Sequence, residues 1–161
     1  MQLPAHIQSY WDAFQATQDD DVSARFSEVF FFADSQPVAD SLAQLVLTGT
    51  KRATAALLWM HEAEGSQPPV PGSLSLMTDF AGTPLAIIEV TASRVVAFED
   101  VPAGFAAREG EGDGSLQYWR EVHWAYFSRE CASIGRDPSP RMPIVCEEFV
   151  VVHPPEAADR E

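Results

Sequence analysis

Lysine is all but missing from this chain: nine of the ten basic residues are arginine, and the one lysine is Lys51. Against them stand 24 Asp and Glu, for a formal net charge of −14. That shortage of cations excludes duplex DNA and long strands as partners, because such binding rests on many Lys and Arg contacts to phosphate. Long apolar runs are missing too. Val29 to Ala33 and Leu85 to Ile88 are far too short to cross a bilayer. No basic flank leads into an apolar stretch at the N-terminus, which points to a cytoplasmic protein. Cys131 and Cys146 lack metal-ligand spacing and read as reduced, buried thiols. There is no internal repeat and no glycine loop of the kind that cradles phosphate.

What remains is an ordinary globular composition, 46% hydrophobic and 21% charged, in a length that suits one core. Ile7, Tyr10, Trp11 and Phe14 fall at helical spacing and predict an amphipathic helix over 4–17. Val29 to Phe32 reads as a strand. Asp34 or Ser35, then Pro37, then Leu42, Leu45 and Val46 mark a helix that stops at Gly49. Further strands are expected at 73–78, 85–98 and 143–152, with helices from 102 to 109 and from 115 to 134. Irregular mixing of the two favours an α+β domain, a small β-barrel or strongly curved mixed sheet with helices around it.

The chemistry concentrates after the second helix. A lysine can lose its proton when buried, whereas arginine cannot, so Lys51 either caps that helix or serves as a base for a neighbour. Thr54, three residues on, is a nucleophile if a base draws off its proton, or simply a β-prone residue at a strand edge. Glu109, Glu111 and Asp113 crowd a glycine-rich turn; they would supply a general base or hold a divalent cation, although the spacing matches no standard metal loop and no metal is expected. His123 lies beside Trp119 and Phe127 on the apolar side of its helix. Glu89 alternates against Ile88 and Val90, toward solvent or into a cleft.

Taken in order, these pieces resemble the ASCH domain, a family related to the RNA-binding PUA domains. The resemblance runs from Gly49-Thr50-Lys51-Arg52-Ala53-Thr54 through Pro71-Gly72, Ile88-Glu89-Val90-Thr91 and Phe98-Glu99-Asp100-Val101. Glu109-Gly110-Glu111-Gly112-Asp113, then Tyr118-Trp119-Arg120 and His123, resemble a longer bacterial branch. The family implies a PUA-like barrel with a cleft, which falls at 25–153. The residue pattern adds a helical extension (1–24) before it, absent from the compact branch, and a loose acidic tail (154–161) after it. One compact branch removes the acetyl group of N4-acetylcytidine with a lysine, a threonine and a glutamate, which map onto Lys51, Thr54 and Glu109. The resemblance thus implies a hydrolase for a small nucleoside-like ligand, with Arg52, Glu89, Glu111, Asp113, Trp119 and His123 as substrate contacts. Two alternatives stay open: a ribonuclease cutting short single-stranded RNA in the same cleft, and a non-catalytic RNA- or nucleotide-binding module using Arg52, Arg94 and Trp119. Where the compact branch carries an arginine, this chain has Ala55-Ala56.

Overall fold

The backbone is organised by two long strands, β4 (Pro84–Ala97) and β5 (Pro143–His153), paired antiparallel along most of their length. The computed structural model describes residues 2–159. The other strands are β1 (Phe26–Phe30), β2 (Ala53–Leu57) and β3 (Leu74–Thr78), and the sheet order is β1-β3-β4-β5-β2. β1 runs parallel to β3; every other pairing is antiparallel. β1 and β2 are therefore the two edges, and the sheet is open, mixed and not closed into the barrel that the sequence leaves as one alternative. Register breaks between Ile87 and Ile88 and between Val90 and Ala92 interrupt the central ladder, as bulges do where a sheet bends.

Helix α1 (Ala5–Gln15) lays Ile7, Trp11 and Phe14 on one sheet face, against Leu74, Leu76 and Ile87. Helix α2 (Gln36–Leu47) covers the opposite face, packing Ala43 and Val46 on Met77, Ile88, Phe149 and Val151. A third cluster sits over β2 and β5. It is built by α4 (Ala103–Glu109) and α5 (Leu116–Ser133), which bring Phe105, Trp119 and Phe127 against Leu57, Ile144 and Cys146. Trp119, His123, Phe127 and Cys131 recur every four residues, which gives α5 a buried stripe. Both cysteines are free and buried in this cluster.

Three elements differ from the sequence expectation. β1 is displaced toward the N-terminus of the apolar run, because its register with β3 ends at Phe30, and Phe32 instead turns into the α2 cluster. Helix α3 (Leu58–Glu64), closed by Gly65 in the left-handed conformation, follows β2 directly and carries no cap signal that sequence reading would catch. The acidic tail is not loose as far as Asp159. That carboxylate accepts hydrogen bonds from Arg52 and from the Val151 N–H, while Ala157 packs on the α2 cluster. Residues 160 and 161 of the tail lie outside the described residues, as does Met1 of the extension.

Candidate functional site

Lys51 is placed by backbone constraints on both sides. The N–H groups of Thr50 and Lys51 donate to Leu45 O, one of the carbonyls left free at the end of α2, and the Arg52 N–H donates to Arg108 O on α4. Gly110 completes the junction: a Cβ there would stand 2.2 Å from Thr50 O, and its φ of +66° is left-handed. Only glycine lets the end of α4 come this close, and the close approach sets Glu109 beside Lys51. Gly112 is pressed in the same way against the Tyr118 ring.

The result is a buried ionic cluster. Lys51 and Glu109 are each 1% exposed. Lys51 Nζ donates to Glu109 Oε1 at 2.7 Å, Glu111 Oε2 at 2.9 Å and Ala53 O at 2.8 Å, so all three ammonium protons are engaged. Phe32 lies under the same ammonium, 5.2 Å from its ring centre. Glu109 Oε2 accepts from the Trp119 indole N–H at 2.5 Å and faces His123 Nε2 at 3.3 Å. His123 Nδ1 is 2.8 Å from Trp119 O. A carbonyl can only accept, so Nδ1 carries a proton; Nε2 needs a second one to meet a carboxylate favourably.

Charge follows from this geometry. Burial by itself would lower the Lys51 pKa, but Glu109 and Glu111 outweigh it and hold the ammonium above its ordinary value. Burial would raise Glu109; Lys51 and His123 overcome it and hold the carboxylate far below the usual range. Glu111 goes the other way: burial, and then repulsion from Glu109, exceed the attraction of Lys51 and raise it. His123 is raised because the bond to Glu109 and its charge exceed the cost of burial. The sequence leaves Lys51 two roles, helix cap or base, and this geometry holds it as a cation with Glu109 as its counter-ion.

This cluster forms one wall of a cavity of about 500 Å³, lined also by Thr54, Phe32, Ile88, Phe149 and Glu147. That volume lies in the range of small-molecule sites. Besides Glu109 and Glu111, the walls carry Glu28, Asp34, Glu64, Glu130 and Glu147, against Lys51 and Arg129 as permanent cations among the described residues. Of the residues singled out from sequence, Lys51, Thr54, Glu109, Glu111 and His123 meet here. The others do not. Trp119 is 2% exposed, stacked on His123 and spent on Glu109, so it is a support and offers no face to a ligand. Arg52 is committed to Asp159 and to the carbonyls of Val46 and Lys51. Glu89 pairs with Arg25 outside the cavity, because its position in β4 shares a face with Ile87 under α1. Asp113 is exposed and accepts from the Ser115 N–H ahead of α5. Arg94 is exposed and lines a smaller depression with Arg108, on the sheet face that carries Cys146.

A metal would find Glu109, Glu111 and His123, their ligand atoms lying within 4.8 Å of one another, and not the Glu109, Glu111 and Asp113 set of the sequence alternative. Both carboxylates, however, already bond the Lys51 ammonium, which any ion would have to displace. Sequence reading missed Glu147 and Glu28. Glu28 is a single acid in its strand and Glu147 one of an adjacent pair with Glu148, so neither stands apart from solvent-facing positions in the sequence, and only the sheet order turns them into the cavity.

An open mixed sheet with a lysine–glutamate–histidine cluster in the cleft beneath α2 defines a PUA-like α+β domain. The family model for the ASCH domain matches residues 28–153, most of the chain, and the protein belongs to that family. The chain is similar to an ASCH domain from Lactobacillus crispatus, with 32% identity and a TM-score of 0.86 over 92% of this chain and 95% of that one. It is similar also to a protein from Enterococcus faecalis, with 30% identity and a TM-score of 0.80 over 91% and 88%. No curated protein matches. Membership in this family is consistent with an RNA-related function. No helix among the described residues is long and apolar enough to cross a membrane.

Proposed function

We propose that the cavity is the active site of a hydrolase that removes an acyl group from a small modified nucleoside, with N4-acetylcytidine as the model substrate. The observation that carries this reading is the coexistence of the Thr54 hydroxyl, the Glu111 carboxyl and the buried Lys51 ammonium on the walls of one small cavity. The acidic lining supports an uncharged substrate over a phosphate chain, since each phosphate entering would meet carboxylates uncompensated by cations. A ribonuclease working in the same cleft is disfavoured for that reason.

In this reading the Thr54 oxygen attacks the acyl carbon and its proton passes to Glu111. Glu111 suits that role better than Glu109, because it is raised while Glu109 is locked as an anion by three donors. Protonation weakens the hold of Glu111 on Lys51 and frees an ammonium N–H for the developing oxyanion. The C–N bond then breaks, Glu111 returns the proton to the leaving nitrogen, and water cleaves the Thr54 ester to release the carboxylic acid and restore the hydroxyl. The test is chromatography for cytidine after incubation of N4-acetylcytidine with the wild type, Thr54→Val and Glu111→Gln. Turnover by the wild type, lost in both variants while each remains folded, is expected. Absence of turnover, or turnover that survives Thr54→Val, overturns the reading.

A further inference from the structure

Among the acids on the cavity walls that neither the Lys51 cluster nor the proposed chemistry uses, Glu147 is the buried one. It is 7% exposed, yet no hydrogen bond to its carboxyl contributes to its titration, and burial followed by the facing Glu28 sets its state. Its oxygens have no protein partner among the described residues and open on the cavity, and a carboxyl so placed persists most readily where a ligand supplies the missing bonds. Its position is specific. In the β2–β5 ladder Glu147 stands directly opposite Thr54, so the two side chains leave the sheet on the same face, with Cβ atoms about 5 Å apart in such pairs. Phe149 and Ile88 extend that face as an apolar floor.

We propose that Glu147 selects the substrate by pairing with adjoining hydrogen-bond donor and acceptor atoms on an uncharged heterocycle, such as the N4–H and N3 of a cytosine, and so holds the group bonded to that nitrogen over Thr54. The inference rests on the hydrolase reading for the reacting end of the substrate, but the pairing itself requires only binding. A carboxyl pushed up to about 8 keeps its proton at neutral pH. It then offers one O–H donor and one carbonyl acceptor side by side, which a carboxylate cannot. The register supplies the rest: an exocyclic nitrogen held by Glu147 leaves its acyl substituent above the neighbouring strand, where Thr54 stands. Ligands with a phosphate directed at this end are disfavoured by Glu28, and ligands whose exocyclic nitrogen carries no hydrogen lose half of the pair.

The experiment is calorimetric titration of the wild type, Glu147→Gln and Glu147→Ala with cytidine and with N4,N4-dimethylcytidine at pH 7, alongside thermal melts of each protein. Gln presents the same donor and acceptor as a protonated Glu. We expect cytidine to bind the wild type and Glu147→Gln within about threefold of each other, and Glu147→Ala at least about tenfold more weakly, the factor that one net hydrogen bond of about 1.4 kcal/mol represents. Dimethylcytidine should bind the wild type and Glu147→Gln more weakly than cytidine does, which narrows their advantage over Glu147→Ala. Equal binding of cytidine by wild type and Glu147→Ala overturns the proposal, as does a Glu147→Gln variant as weak as Ala with an unchanged melt, or a wild type that binds neither nucleoside. Cytidine binding with this pattern but no deacetylation sinks the hydrolase reading and leaves the Glu147 assignment standing. Deacetylation with an unaltered KM in Glu147→Ala does the reverse.

Discussion

Replacing Lys51 by methionine is the sharpest perturbation the site offers, because it removes the ammonium while keeping most of the stem. Glu109, 1% exposed, would be left with the Trp119 indole and His123 as partners, and Glu111 would lose the cation it leans on. Breaking one side of a buried pair generally costs about 3–5 kcal/mol, since the remaining charge is stranded in a poor solvent. A domain of this kind has a total stability of only about 5–15 kcal/mol. At about 2–4 °C per kcal/mol for a chain of this length, the melt should fall by about 6–20 °C. The pH dependence separates this cause from lost packing. In the wild type Glu109 lies below its ordinary 4.5 and Lys51 above its ordinary 10.5. The contribution of the pair is therefore complete between about pH 5 and 10 and is lost only outside that window. In Lys51→Met the orphaned carboxyl is raised by burial, so acidification to pH 5 lets it take a proton and shrinks the deficit relative to wild type. Urea unfolding at pH 7.5 and pH 5 reads both quantities, and adding Glu109→Gln to Lys51→Met should recover part of the loss at pH 7.5. A deficit below about 1 kcal/mol, or one that is the same at both pH values, would refute a stranded buried charge.

Gly110→Ala should cost about 1–3 kcal/mol in urea unfolding, because its Cβ would meet Thr50 O and its backbone is left-handed; a change under about 0.5 kcal/mol would contradict the close approach that aligns Glu109 with Lys51. Glu147 titrates near 8 in the folded state against an ordinary 4.5, so stability falls as pH climbs between those values, and Glu147→Gln should flatten the urea midpoint over pH 5–8 and exceed the wild type at the upper end. Asp159→Ala frees Arg52 and the Val151 N–H, and residues 154–159 should become cleavable in limited proteolysis for a stability loss of about 1 kcal/mol; resistance equal to wild type would mean that the tail is held by Ala157 packing instead.

Local pattern was sufficient for most of the fold. The helical spacing of Ile7, Trp11 and Phe14, the Pro37 start and Gly49 stop of α2, and the β-branched run of β4 each encode their element within a dozen neighbouring residues. The motif Gly49 to Thr54 likewise marked Lys51, since a lone lysine after a helix end is visible without any contact. Glu109 and Glu111 stood out because acids interleaved with glycines are rare in a regular element. What the sequence could not carry was which residues share a face across strands distant in the chain. Strand order decides that Glu147 stands beside Thr54, that Glu89 belongs to the α1 side with Arg25, and that β1 and β2 remain separate edges. Protonation states were equally out of reach. Considered alone, Lys51 reads as a helix cap or a base, and it becomes a fixed cation only when two carboxylates 58 and 60 residues away close on it in a buried site.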